Sequence, residues 1–381
     1  MTEKILCVTN DFGPRAGGIE TFVMGLIERL AQGSVIVYTS AQGDTKEYDQ
    51  RWLSQFGVRV IRDRSKILLP TPRVSHAIKK VIVTENLKVI FFGAAAPLAI
   101  MAGGFRKIGV QKIVALTHGH EVWWAKLWPF NWAIRYIGAS VDHLTYLGDF
   151  TRHEISRALS TKASAAMVKI APGIDTEHFA PQASAQELRA SLGLGDKKVI
   201  VSVGRLVHRK GQDSLITALP EILQGHPEAH ILMVGEGPYR KHLEKLVKDL
   251  KLEDAITFIG RIQHKDLPRY ICAGDIFAMP SRSRLAGLEV EGLGIVYLEA
   301  SACELPVIAG ISGGAPDAVL EGETGITVDG TNPSEIASAV ISLLDDPLRA
   351  IAMGKRGREW IYSNWRWEIR ASNFKELLKV N

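Results

Sequence analysis

Short apolar runs recur along this chain, and each is followed by a stretch whose apolar residues return every three to four positions. Ile5 to Thr9 is the first such run; after a turn rich in Gly and Pro, Ile19, Phe22, Val23, Leu26, Ile27 and Leu30 follow at helical spacing. Further runs stand at Val35 to Tyr38, Val58 to Ile61, Val89 to Phe92, Ile113 to Leu116, Leu144 to Leu147 and Val168 to Ile170. Parallel strands need helix-length crossovers, so this alternation predicts an α/β chain with a doubly wound parallel sheet. The turn-rich stretch Ala171 to Asp175 interrupts the rhythm, and a second series begins at Val199 to Val203 and continues at Ile231, Ile256, Ile276, Val307 and Ile326. At 381 residues the chain exceeds the roughly 250–300 residues one core fills. The expectation is two Rossmann-like domains facing across a cleft: 1–172, completed by a C-terminal helix at 365–381, and 173–364.

Ligands of open parallel sheets sit at the carboxyl ends of the strands, which directs attention to the loops after Thr9, Leu116, Val203, Val234, Ile259 and Met279. The first loop carries Pro14-Arg15-Ala16-Gly17-Gly18 directly before a helix. Paired glycines there let backbone N–H groups approach an anion, or simply make a tight turn. The G-x-G-x-x-G fingerprint of a dinucleotide site is absent, which speaks against a dehydrogenase. The loop after Val203 reads Gly204-Arg205-Leu206-Val207-His208-Arg209-Lys210-Gly211, with Arg205 and Lys210 flanking a helix start. Two fixed cations and a helix dipole can neutralise a diphosphate without a metal; a solvated basic turn is the plainer alternative. Glu291 and Glu299 lie eight residues apart around the start of an apolar helix, about 12 Å if fully helical at ~1.5 Å per residue. That gap is too long for a glycosidase pair acting on one bond and suits two contacts along an extended ligand.

Taken in order, the Gly-Gly loop, the G-R-x4-K-G element, Val234 to Pro238, Phe258 to Arg261 and E-x7-E resemble family four of the retaining glycosyltransferases with the GT-B fold. The resemblance implies a nucleotide-sugar donor, with Gly17, Gly18, Arg205 and Lys210 toward its phosphates, Glu299 on the ribose, Glu291 on the transferred sugar and Ile262 in the base pocket. It places His118 of Thr117-His118-Gly119-His120-Glu121 on the reacting sugar, and so gives His118, Arg205, Lys210 and Glu291 as the catalytic set. No tightly bound cofactor is expected, nor a divalent metal for phosphate binding; the spacing of His118, His120 and Glu121 is not that of H-E-x-x-H. The long segment Ser281 to Glu291 is similar to that of mannosyltransferases acting on phosphatidylinositol monomannosides, which implies GDP-mannose as donor, a glycolipid acceptor and an α-1,6-mannosyl product. Asp11, Phe12 and Arg15 are placed to meet the acceptor, although Asp11 could equally cap the turn.

A lipid acceptor requires a membrane-facing surface. One candidate mixes Arg62, Arg64, Lys66, Ile67, Leu68, Leu69, Arg73, Lys79 and Lys80; a second gathers Trp123, Trp124, Lys126, Leu127, Trp128, Phe130 and Trp132. The segment at Ile5 to Val8 is too short and too acidic in its flanks for a signal peptide, and no uncharged stretch reaches the ~20 residues of a spanning helix. The expectation is a cytoplasmic protein held peripherally on an anionic membrane surface, the inner face of the cell membrane. Cys7, Cys272 and Cys303 are odd in number and widely spaced, which suits a reducing compartment. The net charge of +5 comes from cations spread along the chain, with no nucleic-acid recognition motif. A soluble-acceptor transferase of the same family and a GT-B nucleotide-sugar epimerase remain the competing readings.

Overall fold

The computed structural model describes residues 4–15 and 17–379; Ala16 of the Gly-Gly loop and the last two residues of the expected C-terminal helix lie outside them. The chain separates into two compact units, Met1–Gly173 with Trp367–Asn381, and Ile174–Arg366. The division differs by one or two residues from the expected boundaries. Ile174 donates its N–H to Trp365 O at 2.7 Å and pairs with Arg366, which keeps 365 and 366 with the second unit.

The first unit holds β1 (Ile5–Thr9), β2 (Val35–Thr39), β3 (Arg59–Arg62), β4 (Val89–Phe92), β5 (Lys112–Ala115), β6 (His143–Tyr146) and β7 (Val168–Lys169). They form one parallel sheet ordered β3-β2-β1-β4-β5-β6-β7, with Leu6 opposite Ile36 on one side and Ile90 on the other. Side chains alternate between the faces. Leu6, Val8, Ile90, Phe92 and Ile113 pack with Val74, Ile78 and Ile82 of the helix Pro72–Thr84, whose start is capped by Thr71. From the opposite face Phe91 meets Phe374 of the helix Trp367–Leu377 edge-on at 5.2 Å. Trp367 lies against Gly25 and Gly173, so closely that a Cβ on either glycine would fall 2.5 Å from it.

The second unit holds β8 (Lys198–Val203), β9 (Ala229–Val234), β10 (Ile256–Gly260), β11 (Ile276–Met279), β12 (Val307–Gly310) and β13 (Gly325–Val328), ordered β10-β9-β8-β11-β12-β13 and all parallel. Ile200, Ile231, Met233, Ile276 and Ile308 pack with Leu215, Leu219 and Ile222 of the helix Gln212–Gly225 and with Ile336, Val340 and Leu343 of the helix Pro333–Leu344. In each unit the strand order reverses beside the first strand, between β1 and β4 and between β8 and β11. Loops leaving the carboxyl ends of these strands diverge there, and that divergence opens room for a ligand.

Candidate active site

In the second unit the loops after β8, β9, β11 and β12 meet backbone to backbone. A Cβ on Gly211 would lie 1.8 Å from Pro280 O, and one on Gly235 would lie 1.9 Å from Gly204 O. Both glycines also have positive φ, +73° and +141°, so no other residue fits either position. This packing sets a short 3₁₀ turn, His208–Lys210, just ahead of the helix Gln212–Gly225. The turn presents Lys210, only 8% exposed, to Glu291. Lys210 Nζ and Arg209 Nη1 each lie 2.7 Å from Glu291 Oε2. Burial would raise the Glu291 carboxyl, but the charges and hydrogen bonds of Lys210 and Arg209 outweigh it and hold the group below its ordinary range. Glu291 is therefore ionised at neutral pH. Arg205, in the same loop, is exposed, with its carbonyl accepting from Gln212.

The expected helical spacing of the two glutamates is not observed. Glu291 lies in the loop, and the helix begins only at Ile295, after Gly294 in the left-handed region at φ +78°. A Cβ on Gly313 would fall 2.2 Å from Glu291 O, so the close-packed 312–314 turn holds the Glu291 backbone out of the helix. Glu299 sits within the helix Ile295–Ala302, 7% exposed, and burial pushes its carboxyl up to about 7. Ile262 follows β10, half-buried.

The first unit gathers a different set at the ends of β1 and β5. His118 donates from Nε2 to Gly93 O, and its backbone N–H donates to Glu121 Oε2 at 2.9 Å. Burial lowers the His118 pKa more than Glu121 and the Gly93 carbonyl raise it, so the ring is neutral at pH 7. Burial raises the Asp11 carboxyl and Glu20 adds to it, while Arg15 works against both. Arg15 reaches Glu20 Oε1 at 2.7 Å and Asp11 Oδ1 at 3.6 Å. The Asp11 N–H donates to Thr9 Oγ1, so it is Thr9 that caps this turn. Gly17 precedes the helix Gly18–Glu28 in extended conformation, and a Cβ there would meet Glu20 Oε2 at 2.3 Å; Gly18 has open space around it.

Phe12 does not belong to this group. Its ring is fully buried, 4.8 Å from Trp52 and 6.1 Å from Tyr48, with the Arg62 guanidinium over it. An aromatic residue in a loop filled a core position there. Among the described residues no cluster of three His, Cys, Asp or Glu side chains could hold a metal ion.

Both halves of the chain match families of known proteins. Residues 16–178 match "Glycosyltransferase Family 4" and residues 184–360 match "Glycosyl transferases group 1". A Mycolicibacterium smegmatis protein named GDP-mannose-dependent alpha-(1-6)-phosphatidylinositol monomannoside mannosyltransferase is 44% identical over 376 residues, 98% of each chain. The Mycobacterium tuberculosis protein of the same name is 41% identical over 99% of this chain and 98% of its own. This chain belongs to glycosyltransferase family four. The crystal structure of Anabaena HepE in complex with UDP superposes with a TM-score of 0.83 at 20% identity, over 98% of this chain and 99% of that one. The transferase thus has the α/β GT-B fold of two Rossmann-like domains.

Several polar groups of this glycosyltransferase were not singled out from its sequence. Arg209 adjoins Lys210 and shares its carboxylate. Glu20 and Glu121 each lie three residues beyond a motif residue, Gly17 and His118, a spacing at which a side chain turns back onto the backbone.

The buried Glu299 gives the transferase a pH signature. The folded protein holds the Glu299 proton up to about pH 7, whereas the unfolded chain releases it near 4.5. The contribution of Glu299 to stability is therefore greatest at and below the unfolded value and falls as pH rises toward 7, by about 3 kcal/mol in all. Glu299→Gln, which stays neutral, is expected to melt several degrees above the ligand-free wild type at pH 8 and to coincide with it near pH 4.5. An equal difference at both pH values would exclude the carboxyl as its source.

Proposed function

We propose that this glycosyltransferase moves mannose from GDP-mannose to a phosphatidylinositol mannoside, adding the second mannose in α-1,6 linkage with retention at the anomeric carbon. The observation that carries the reading is the identity of 44% and 41% along nearly the whole chain with the two mycobacterial mannosyltransferases. The geometry of the second unit agrees with it. A donor diphosphate would replace Glu291 as the partner of Lys210 and engage the exposed Arg205, with no divalent metal required. Glu291, still held by Arg209, would turn its carboxylate to the hydroxyls of the transferred sugar. Glu299 would meet the ribose diol and Ile262 the base. The 1–172 domain would bind the acceptor, with the neutral His118 on the reacting mannose and Asp11 and Arg15 on the acceptor head group, while 173–364 would bind the donor.

Glu291 is ionised and tied to two cations, which suits charge stabilisation better than attack on carbon. In the proposed step the bond from C1 to the phosphate oxygen breaks as the acceptor oxygen adds to C1 from the same face. The acceptor proton passes to the departing phosphate oxygen. Lys210 and Arg205 stabilise the charge that develops on the diphosphate. The test is an assay with purified protein, phosphatidylinositol monomannoside in vesicles and either GDP-mannose or UDP-glucose, in EDTA, with the product's anomeric configuration read by NMR. An α-linked dimannoside from GDP-mannose alone is expected; a β product, transfer from UDP-glucose, or turnover only on soluble inositol phosphate would overturn the reading.

Peripheral attachment to an anionic membrane, at the cytoplasmic face, belongs to the same proposal. Among the described residues no helix is long and apolar enough to cross a membrane. Of the two candidate surfaces, the one at 62–80 is partly internal: Arg62 pairs with Asp49, Arg73 pairs with the buried Asp63, and Leu68 is fully buried. In the other, Trp123 and Trp124 pack on Phe130, while Trp128 and Trp132 stand 83% and 68% exposed beside the exposed Leu127 and Arg135, and Lys126 pairs with Glu154 at 3.0 Å. Indole rings flanked by cations suit the headgroup zone of a bilayer. Trp128→Ala with Trp132→Ala is expected to reduce co-sedimentation with anionic vesicles about tenfold. Its turnover on a short-chain, water-soluble acceptor should be unchanged, and undiminished vesicle binding would direct attention back to residues 64–80.

A further inference from the structure

Besides a long Arg209–Glu289 pair at 3.9 Å, two struts join the Lys210 turn to the long segment Ser281 to Glu291, and only one of them is absorbed by the proposed reaction. That one is the contact of Lys210 and Arg209 with Glu291, which a donor phosphate would compete for. The other is Arg282, 8% exposed. Its Nη2 donates to Asp213 Oδ2 at 2.6 Å and Oδ1 at 2.8 Å, and lies 3.0 Å from His208 Nδ1. Its Nη1 donates to Ser214 Oγ at 2.7 Å, and its backbone N–H donates to Arg209 O at 2.8 Å. Asp213 in turn accepts from Tyr239 Oη at 3.1 Å. One guanidinium therefore grips residues on both sides of Lys210: the first residue of the turn before it, and the first turn of the helix after it.

We propose that Arg282 is a positioning residue for donor binding: its fork fixes the Lys210 turn so that the ammonium stays in place for the terminal phosphate when Lys210 leaves Glu291. The inference rests on the reading that Lys210 meets the donor diphosphate. The chemistry favours arginine here, because a planar guanidinium serves a carboxylate, a hydroxyl and an imidazole at fixed angles, which a single ammonium does not. Placement errors near 1 Å cost about 10²-fold in rate, so loss of this strut acts on Lys210 without any contact between Arg282 and the substrate.

The test compares GDP with GMP, which lacks the outer phosphate, by calorimetric titration of wild type, Arg282→Lys, Lys210→Ala and the charge-neutral double variant Arg282→Gln with Asp213→Asn. The double variant leaves no unpaired charge and serves where Arg282→Lys does not fold. Arg282→Lys is expected to weaken GDP about tenfold while GMP changes less than about twofold, with kcat/KM down about 10²-fold. Equal weakening of both nucleotides, or none, would overturn the proposal, since a merely structural role does not single out the outer phosphate. Lys210→Ala separates the two inferences. If it erases the preference for GDP and the Arg282 variants do not, the positioning role alone fails; if it leaves the preference intact, the diphosphate reading fails and the positioning role with it.

Discussion

Lys210→Ala is expected to lower kcat about 10²–10³-fold, with the donor KM rising less than tenfold, because in the proposed reaction its ammonium stabilises the charge that grows on the leaving diphosphate. Lys210 is the cation best placed to deliver this effect. It is buried, held 2.7 Å from a carboxylate, and carried on a turn that two positive-φ or tightly packed glycine contacts keep from moving. Arg205, in the same loop, is exposed rather than buried. Arg205→Ala should therefore cost less in kcat than Lys210→Ala. The measurement is steady-state kinetics of both variants on the same acceptor, and near-normal turnover in Lys210→Ala would remove metal-free phosphate stabilisation from the mechanism.

Glu291→Ala is expected to damage both activity and stability. Removing one member of a buried ion pair leaves the other charge without compensation, at about 3–5 kcal/mol. Here Lys210 and Arg209 would face each other across the vacated carboxylate position. The destabilised variant should be rescued by anions: GDP is expected to raise its melting temperature more than it raises that of the wild type, because the phosphate then supplies the missing negative charge. Adding Lys210→Ala to Glu291→Ala should recover much of the stability and none of the turnover. If Glu291→Ala melts like the wild type, the three-residue cluster is not a structural element of the free enzyme.

The strands could be located to within about two residues because the central ones are buried on both faces, so that a run such as Val89 to Phe92 carries its own boundaries. The site was harder. Glu291 lies 81 positions beyond Lys210 and 82 beyond Arg209, and no periodicity links them; only the order of motifs suggested that they share a ligand. Phe12 shows the opposite failure, since a ring next to a glycine loop gives no sign of whether it will face a ligand or close a core against Trp52. The helical spacing assumed for Glu291 and Glu299 failed because Gly294, at positive φ, starts the helix three residues after Glu291. Arg282 lay in a segment whose length was noticed and whose buried polar contacts depend wholly on tertiary packing.

The helix Trp367–Leu377 belongs to the first unit although the whole of the second is encoded between it and Gly173. A ribosome therefore produces the first sheet long before it produces the helix that covers Phe91 and fills the space beside Gly25. During that interval the nascent sheet carries an uncovered apolar face, the kind of surface that chaperones hold and that aggregates otherwise. The order of synthesis thus means that the first unit cannot be completed until the second has been made, and a fragment ending at residue 173 would lack the helix that covers Phe91.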